Sequence, residues 1–78
     1  MPTVLKIGPY RFFFFAGDHN EPIHIHVECE DKVAKFWLDP VRLQKSGGFN
    51  RLEIGRIQKI VFKYQKKIRE AWHEFFGH

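Results

Sequence analysis

The first half of the chain alternates apolar and polar positions on a two-residue period, and the last third repeats every three to four. Thr3 to Ile7 and Tyr10 to Phe15 are short runs rich in β-branched and aromatic residues, which favour strands. Gly8-Pro9 between them predicts a hairpin turn. Alternation sends Phe12 and Phe14 to one side of the second strand and Phe13 and Phe15 to the other, so both faces need cover. A helix can cover one face, which leaves the 39–49 segment, another subunit or a partner for the second.

Ala16 to Glu21 is polar and reads as a loop, and Pro22 holds Glu21 in extended geometry. A third strand follows from about Ile23 to Cys29, with His24, His26 and Glu28 on one side and Ile25, Val27 and Cys29 on the other. Glu30-Asp31-Lys32 makes a turn into a fourth strand, Val33 to Leu38. Its Ala34, Phe36 and Leu38 belong with the apolar side, so His24 and His26 should share their face with Lys35 and Trp37. Asp39-Pro40 ends that strand, and residues 39–49 form a connection containing Gly47-Gly48.

Asn50 is a good helix N-cap, with Glu53 three residues on. Ile54, Ile57, Val61, Tyr64, Ile68, Trp72 and Phe75 are spaced 3, 4, 3, 4, 4 and 3 residues apart, one continuous helical stripe. The spacing predicts one amphipathic helix over residues 50–76, closed by Gly77. Twenty-five helical residues measure roughly 37 Å, so such a helix has either to bend or to project into a homo-oligomer or partner contact. The fold class expected is α+β: a single domain, 1–78, with a small, mainly antiparallel sheet of about four strands (residues 1–38) packed on one long C-terminal helix.

Composition sharpens this picture in two ways. The chain is 44% hydrophobic, which suffices for a core in 78 residues, and its one cysteine excludes an intrachain disulfide and suits a reducing cytoplasm. Cys29 itself reads as a small buried apolar residue. With no apolar run of ~20 residues and no signal-peptide pattern at Met1-Pro2-Thr3, a soluble cytoplasmic protein without membrane contact is expected. The net charge of +4 is also uneven: residues 1–50 balance six basic against six acidic side chains, whereas residues 51–78 carry seven against three. Arg56, Lys59, Lys63 and Lys67 lie opposite the apolar stripe, so an acidic partner surface, protein or RNA, is the expected ligand of the helix, with Trp37 as a further contact.

The chemistry is concentrated in Asn20-Glu21-Pro22-Ile23-His24-Ile25-His26-Val27. His19, His24 and His26, with Asp18, Glu21 or Glu28 nearby, would suit a divalent Zn²⁺ or Ni²⁺ ion, although nothing in the pattern demands a cofactor. Alternatively, His24 and His26 would act as the acid and base of a metal-independent ribonuclease, with Glu21 beside them and Lys35 or Arg11 facing the developing phosphorane charge. A third reading has both rings packed beside Trp37, their nitrogens satisfied by carbonyls of residues 16–21.

Met1-Pro2-Thr3, Tyr10–Phe15, Asn20-Glu21-Pro22-x-His24-Ile25-His26-Val27, Ala34-Lys35-Phe36-Trp37-Leu38-Asp39-Pro40-Val41, Gly48-Phe49-Asn50 and Ala71-Trp72-His73-Glu74 occur in this order along the chain. In this it resembles a small prokaryotic family catalogued only as a domain of unknown function. Members of that family are often encoded beside a second small domain, and the pair looks like a toxin–antitoxin module with this type of chain on the toxin side. The resemblance implies action on RNA or translation and a small, acidic antitoxin-like partner. The competing expectation is a non-enzymatic metal- or protein-binding module built on the His24/His26 strand.

Overall fold

The computed structural model describes residues 3–77, so Met1 and Pro2 of the N-terminal motif lie outside it. Five strands form one antiparallel meander in sequence order: β1 (Thr3–Ile7), β2 (Tyr10–Phe13), β3 (His24–Cys29), β4 (Lys32–Leu38) and β5 (Val41–Lys45). Two helices follow, α1 (Arg51–Lys63) and α2 (Gln65–Phe76). The α+β class is as expected, but the sheet has five strands instead of about four. Asp39-Pro40, joined by a cis peptide bond, does not terminate the sheet; it is the two-residue turn that brings Val41 opposite Leu38. The alternation of Val41-Arg42-Leu43-Gln44-Lys45 is the signal for β5, and it lies within the stretch expected to be a connection.

The single long helix is also corrected. The helical run breaks at Tyr64, where the Gln65 side-chain amide donates to the Phe62 carbonyl at 3.1 Å. A side chain inserted among the backbone carbonyls is a recognised cause of helix bending. The break also resolves the length problem, because the longest extent of the molecule is 34 Å, less than the roughly 37 Å of a straight helix. Both ends follow the sequence: the Asn50 side chain accepts from the Glu53 N–H at 2.9 Å, and Gly77 takes the left-handed cap at φ 76°.

The core lies between one sheet face and the helices. Phe12, Phe14, Ile25, Val27, Phe36 and Leu38 meet Ile57, Val61, Ile68 and Trp72 there, all buried. The register puts His24 opposite Trp37 and His26 opposite Lys35, the face-sharing that alternation predicts. On the second face the chain after β2 turns back through a 3₁₀ helix, Ala16–Asn20, and Gln44 and Lys45 of the 39–49 segment share a cleft with Phe15 and His26. Phe13 is enclosed by the Phe15 ring at 5.1 Å, the His26 ring at 5.5 Å and the Arg11 guanidinium at 4.3 Å.

Gly55 stands in the middle of α1, and a methyl group added there would meet nothing within 4 Å. Glycine is about 1 kcal/mol worse than alanine inside a helix. Gly55→Ala is therefore expected to stabilise the fold by about that amount, read as a higher urea midpoint at unchanged slope; a neutral or destabilising result would show that the fold itself requires this glycine.

A buried Asp–His–His centre

Strand alternation delivers His24 and His26 to the face away from the core, two residues apart on β3. Neither is left in solvent. His24 is completely buried, with its ring against Trp37 at 5.6 Å, Trp72 at 5.2 Å and His26 at 5.1 Å. His26 is 9% exposed, between Phe13 and Phe15. The third member comes from the 3₁₀ helix. Asp18 reaches back to accept the Phe15 N–H on Oδ2 at 2.9 Å, which fixes the turn and buries the carboxylate.

That same oxygen lies 3.1 Å from His24 Nε2 and 3.2 Å from His26 Nε2. The two approaches differ chemically. His26 makes a hydrogen bond to Asp18, whereas His24 Nε2 is a buried nitrogen with no hydrogen-bond partner in spite of its proximity. The reason is the other side of the ring. His24 Nδ1 is 2.8 Å from the Pro22 carbonyl, which can only accept, so Nδ1 carries the proton. In the neutral ring Nε2 then presents a lone pair towards a carboxylate oxygen. Two such lone pairs repel unless a positive charge stands between them. Burial, the largest influence on His26, pushes its imidazole below the ordinary range against the pull of Asp18, which favours the neutral ring at pH 7. The hydrogen bond to Asp18 puts that ring's one proton on Nε2, a proton that a metal ligated there would displace.

The donor set has the dimensions of a small cation site. One ligand atom from each of Asp18, His24 and His26 falls within 4.8 Å of the others. Tetrahedral zinc, with ligands at about 2.0–2.1 Å, separates them by about 3.3 Å, close to the two distances from Asp18 Oδ2. The Nδ1–H bond to a backbone carbonyl is also how metal-bound histidines are held in orientation. His26 lines a surface cleft of about 420 Å³ with Phe15, Val33, Lys35, Gln44 and Lys45, so one side of the centre faces outward.

The other residues singled out from the sequence separate cleanly. His19 is exposed, its ring 6.2 Å from Phe76, and does not join the group; Asp18 beside it does. Glu21 is taken by Lys35, whose hydrogen bond holds the Glu21 carboxyl below its usual range, and Lys35 also lies over Trp37 at 4.7 Å. Glu28 is paired with Arg11 at 2.7 Å, which leaves Asp18 as the carboxylate of the three that the centre uses. Arg11 is thereby tied to Glu28, Thr3 and Phe13. Arg56, Lys59, Lys63 and Lys67 are all exposed on the helices and do not belong to the Asp18–His24–His26 group. Cys29 is buried, as expected. Among the described residues no helix is long and apolar enough to cross a membrane.

The sequence signal for Asp18 is its position three residues after Phe15, where a carboxylate can reach back to a turn's first N–H. The model of a family described as a domain of unknown function, DUF4160, matches residues 10–73. No curated protein and no solved structure matches the chain.

Proposed function

The chain belongs to the DUF4160 family of domains of unknown function, and we propose that it is a divalent-metal-binding module with Asp18, His24 and His26 as its protein ligands. The observation that carries this reading is the buried His24 Nε2, unpartnered and 3.1 Å from a carboxylate oxygen. A cation satisfies both atoms at once. Two imidazole nitrogens and one carboxylate oxygen suit zinc best, and three protein ligands leave a position for water or an exogenous ligand on the side of the Lys35–Lys45 cleft.

The metal-free acid–base alternative finds less support in the geometry. It requires both rings to meet a substrate, yet His24 is wholly enclosed and its Nδ1 is held by Pro22. A toxin-side role acting on RNA or translation is compatible with a metal centre; the exposed Arg56, Lys59, Lys63 and Lys67 favour such a basic contact surface. Growth arrest on expression, lost in a variant of these four residues, would be its sign.

Protein purified without an affinity tag should contain about one equivalent of zinc or a similar ion, and His24→Ala and Asp18→Asn should each lose it. Chelation should lower the melting temperature of the native protein and leave that of His24→Ala unmoved, since a bound ion stabilises the state it binds. Metal-free protein that takes up no ion on titration, or a His24→Ala variant that retains full stoichiometry, would sink the reading.

A further inference from the structure

The outer face of α1 has the make-up of an interface and no cover among the described residues. Leu52 and Phe62 are 67% and 64% exposed, the two most exposed large apolar side chains among the described residues. They lie on the side of the helix opposite the buried Ile57 and Val61, in one stripe with Gly55 and Lys59. Gly55 lowers the surface between them. Two shallow depressions of about 460 and 470 Å³ meet there, one shared with Phe62 and Lys63, the other with Leu52 and Arg56. Nothing inside the fold explains the glycine, since a Cβ would stand in open space. In mid-helix it is the least favourable residue after proline, so close approach from outside is what its absence of a side chain serves.

Charge identifies what approaches. Arg51, Arg56 and Lys63 rim this face, Lys59 lies along it beside both depressions, and the helix's one acid, Glu53, is turned away to Lys32 at 3.6 Å and Tyr10 at 3.5 Å. A second copy would bring cations against cations. Nucleic acid would use the basic rim but not the two protruding apolar side chains, because its affinity comes from phosphate contacts. An apolar centre inside a charged rim is instead how protein interfaces are built. We propose that the Leu52–Phe62 face of α1 docks an acidic amphipathic helix of a partner protein, its two apolar anchors entering the depressions on either side of Gly55 and its carboxylates meeting the rim. The proposal is independent of the Asp18–His24–His26 centre.

A synthetic helical peptide with apolar residues on one stripe and glutamate elsewhere serves as the probe, titrated into isotope-labelled full-length protein. Three controls accompany it: the same peptide with lysine for glutamate, a glutamate peptide without the apolar stripe, and a single-stranded RNA. The acidic amphipathic peptide should bind saturably and shift the amides of residues 51–63. Leu52→Ser with Phe62→Ser should weaken it by about tenfold or more, and Gly55→Gln should do the same by filling the notch, both at an undiminished melting temperature. Equal binding by the glutamate peptide lacking the stripe, preferential binding of RNA to this face, concentration-dependent self-association removed by Phe62→Ser, or no binding would each overturn the proposal.

Discussion

Gly47→Ala is expected to be the most damaging single-methyl addition in the chain, costing ~3 kcal/mol or more. Two penalties combine. Gly47 has φ 61°, where an L side chain is strained by roughly 1–2 kcal/mol. A Cβ there would also stand 1.8 Å from the Val33 carbonyl oxygen and 2.4 Å from its carbon, and these are backbone atoms of β4 that cannot rotate aside. The loop leaving β5 must therefore lift off β4. Gly8→Ala is the matched control: its φ is 56° but a Cβ meets nothing within 4 Å, so it should carry the conformational cost alone. In a domain of this size each kcal/mol moves the melting temperature by about 4–8 °C, so the two variants should be well separated in a thermal scan. If Gly47→Ala melts beside Gly8→Ala, the close approach to Val33 is not maintained in solution.

Phe14→Ala should be comparably severe, at about 3–5 kcal/mol. The ring is fully buried where the sheet meets α2, against Trp72 at 5.2 Å, Phe76 at 5.8 Å and Phe75 at 6.2 Å. Removing it empties the space that these rings fill, and the hole cannot collapse without moving α2. Trp72 also touches His24, so the loss should loosen the wall of the Asp–His–His centre and, if the proposed metal binds there, weaken its uptake as well as folding. Phe62→Ala provides the contrast: with 64% of that residue exposed, stability should change by no more than ~0.5 kcal/mol. Urea denaturation of the two variants decides the matter, and a Phe14→Ala cost below about 1 kcal/mol would mean that α2 is not seated on the sheet as described.

What the sequence discloses depends on whether a feature repeats. The β3–β4 register was legible because alternation is a repeating signal: His24 faces Trp37 and His26 faces Lys35 as expected. The core stripe from Ile57 to Trp72 was legible for the same reason. The break at Tyr64 was not, since a bend that costs one residue leaves the 3–4 spacing intact and makes no mark on the pattern. β5 was hidden by Pro40, whose usual meaning as a strand end outweighed the alternation after it. The choice of Asp18 over Glu21 and Glu28 rests on three separate partners, the Phe15 N–H, Lys35 and Arg11, which only the folded chain brings together.

The interruption at Tyr64 divides what would be one cooperative rod into pieces of 13 and 12 residues. Helices of that length are marginal in water by themselves, so each survives on its own hold on the sheet and nothing obliges them to open together. Hydrogen exchange should then report two protection levels instead of a single plateau, one for the amides of each helix. The second carries a consequence for chemistry. Because Trp72 rides on α2 and walls in His24, the rate at which α2 transiently detaches would set how fast the proposed ion could pass on that side of the centre, the cleft beside His26 being the other route. Slow metal exchange and strong amide protection of residues 65–76 would then be two readings of one opening event.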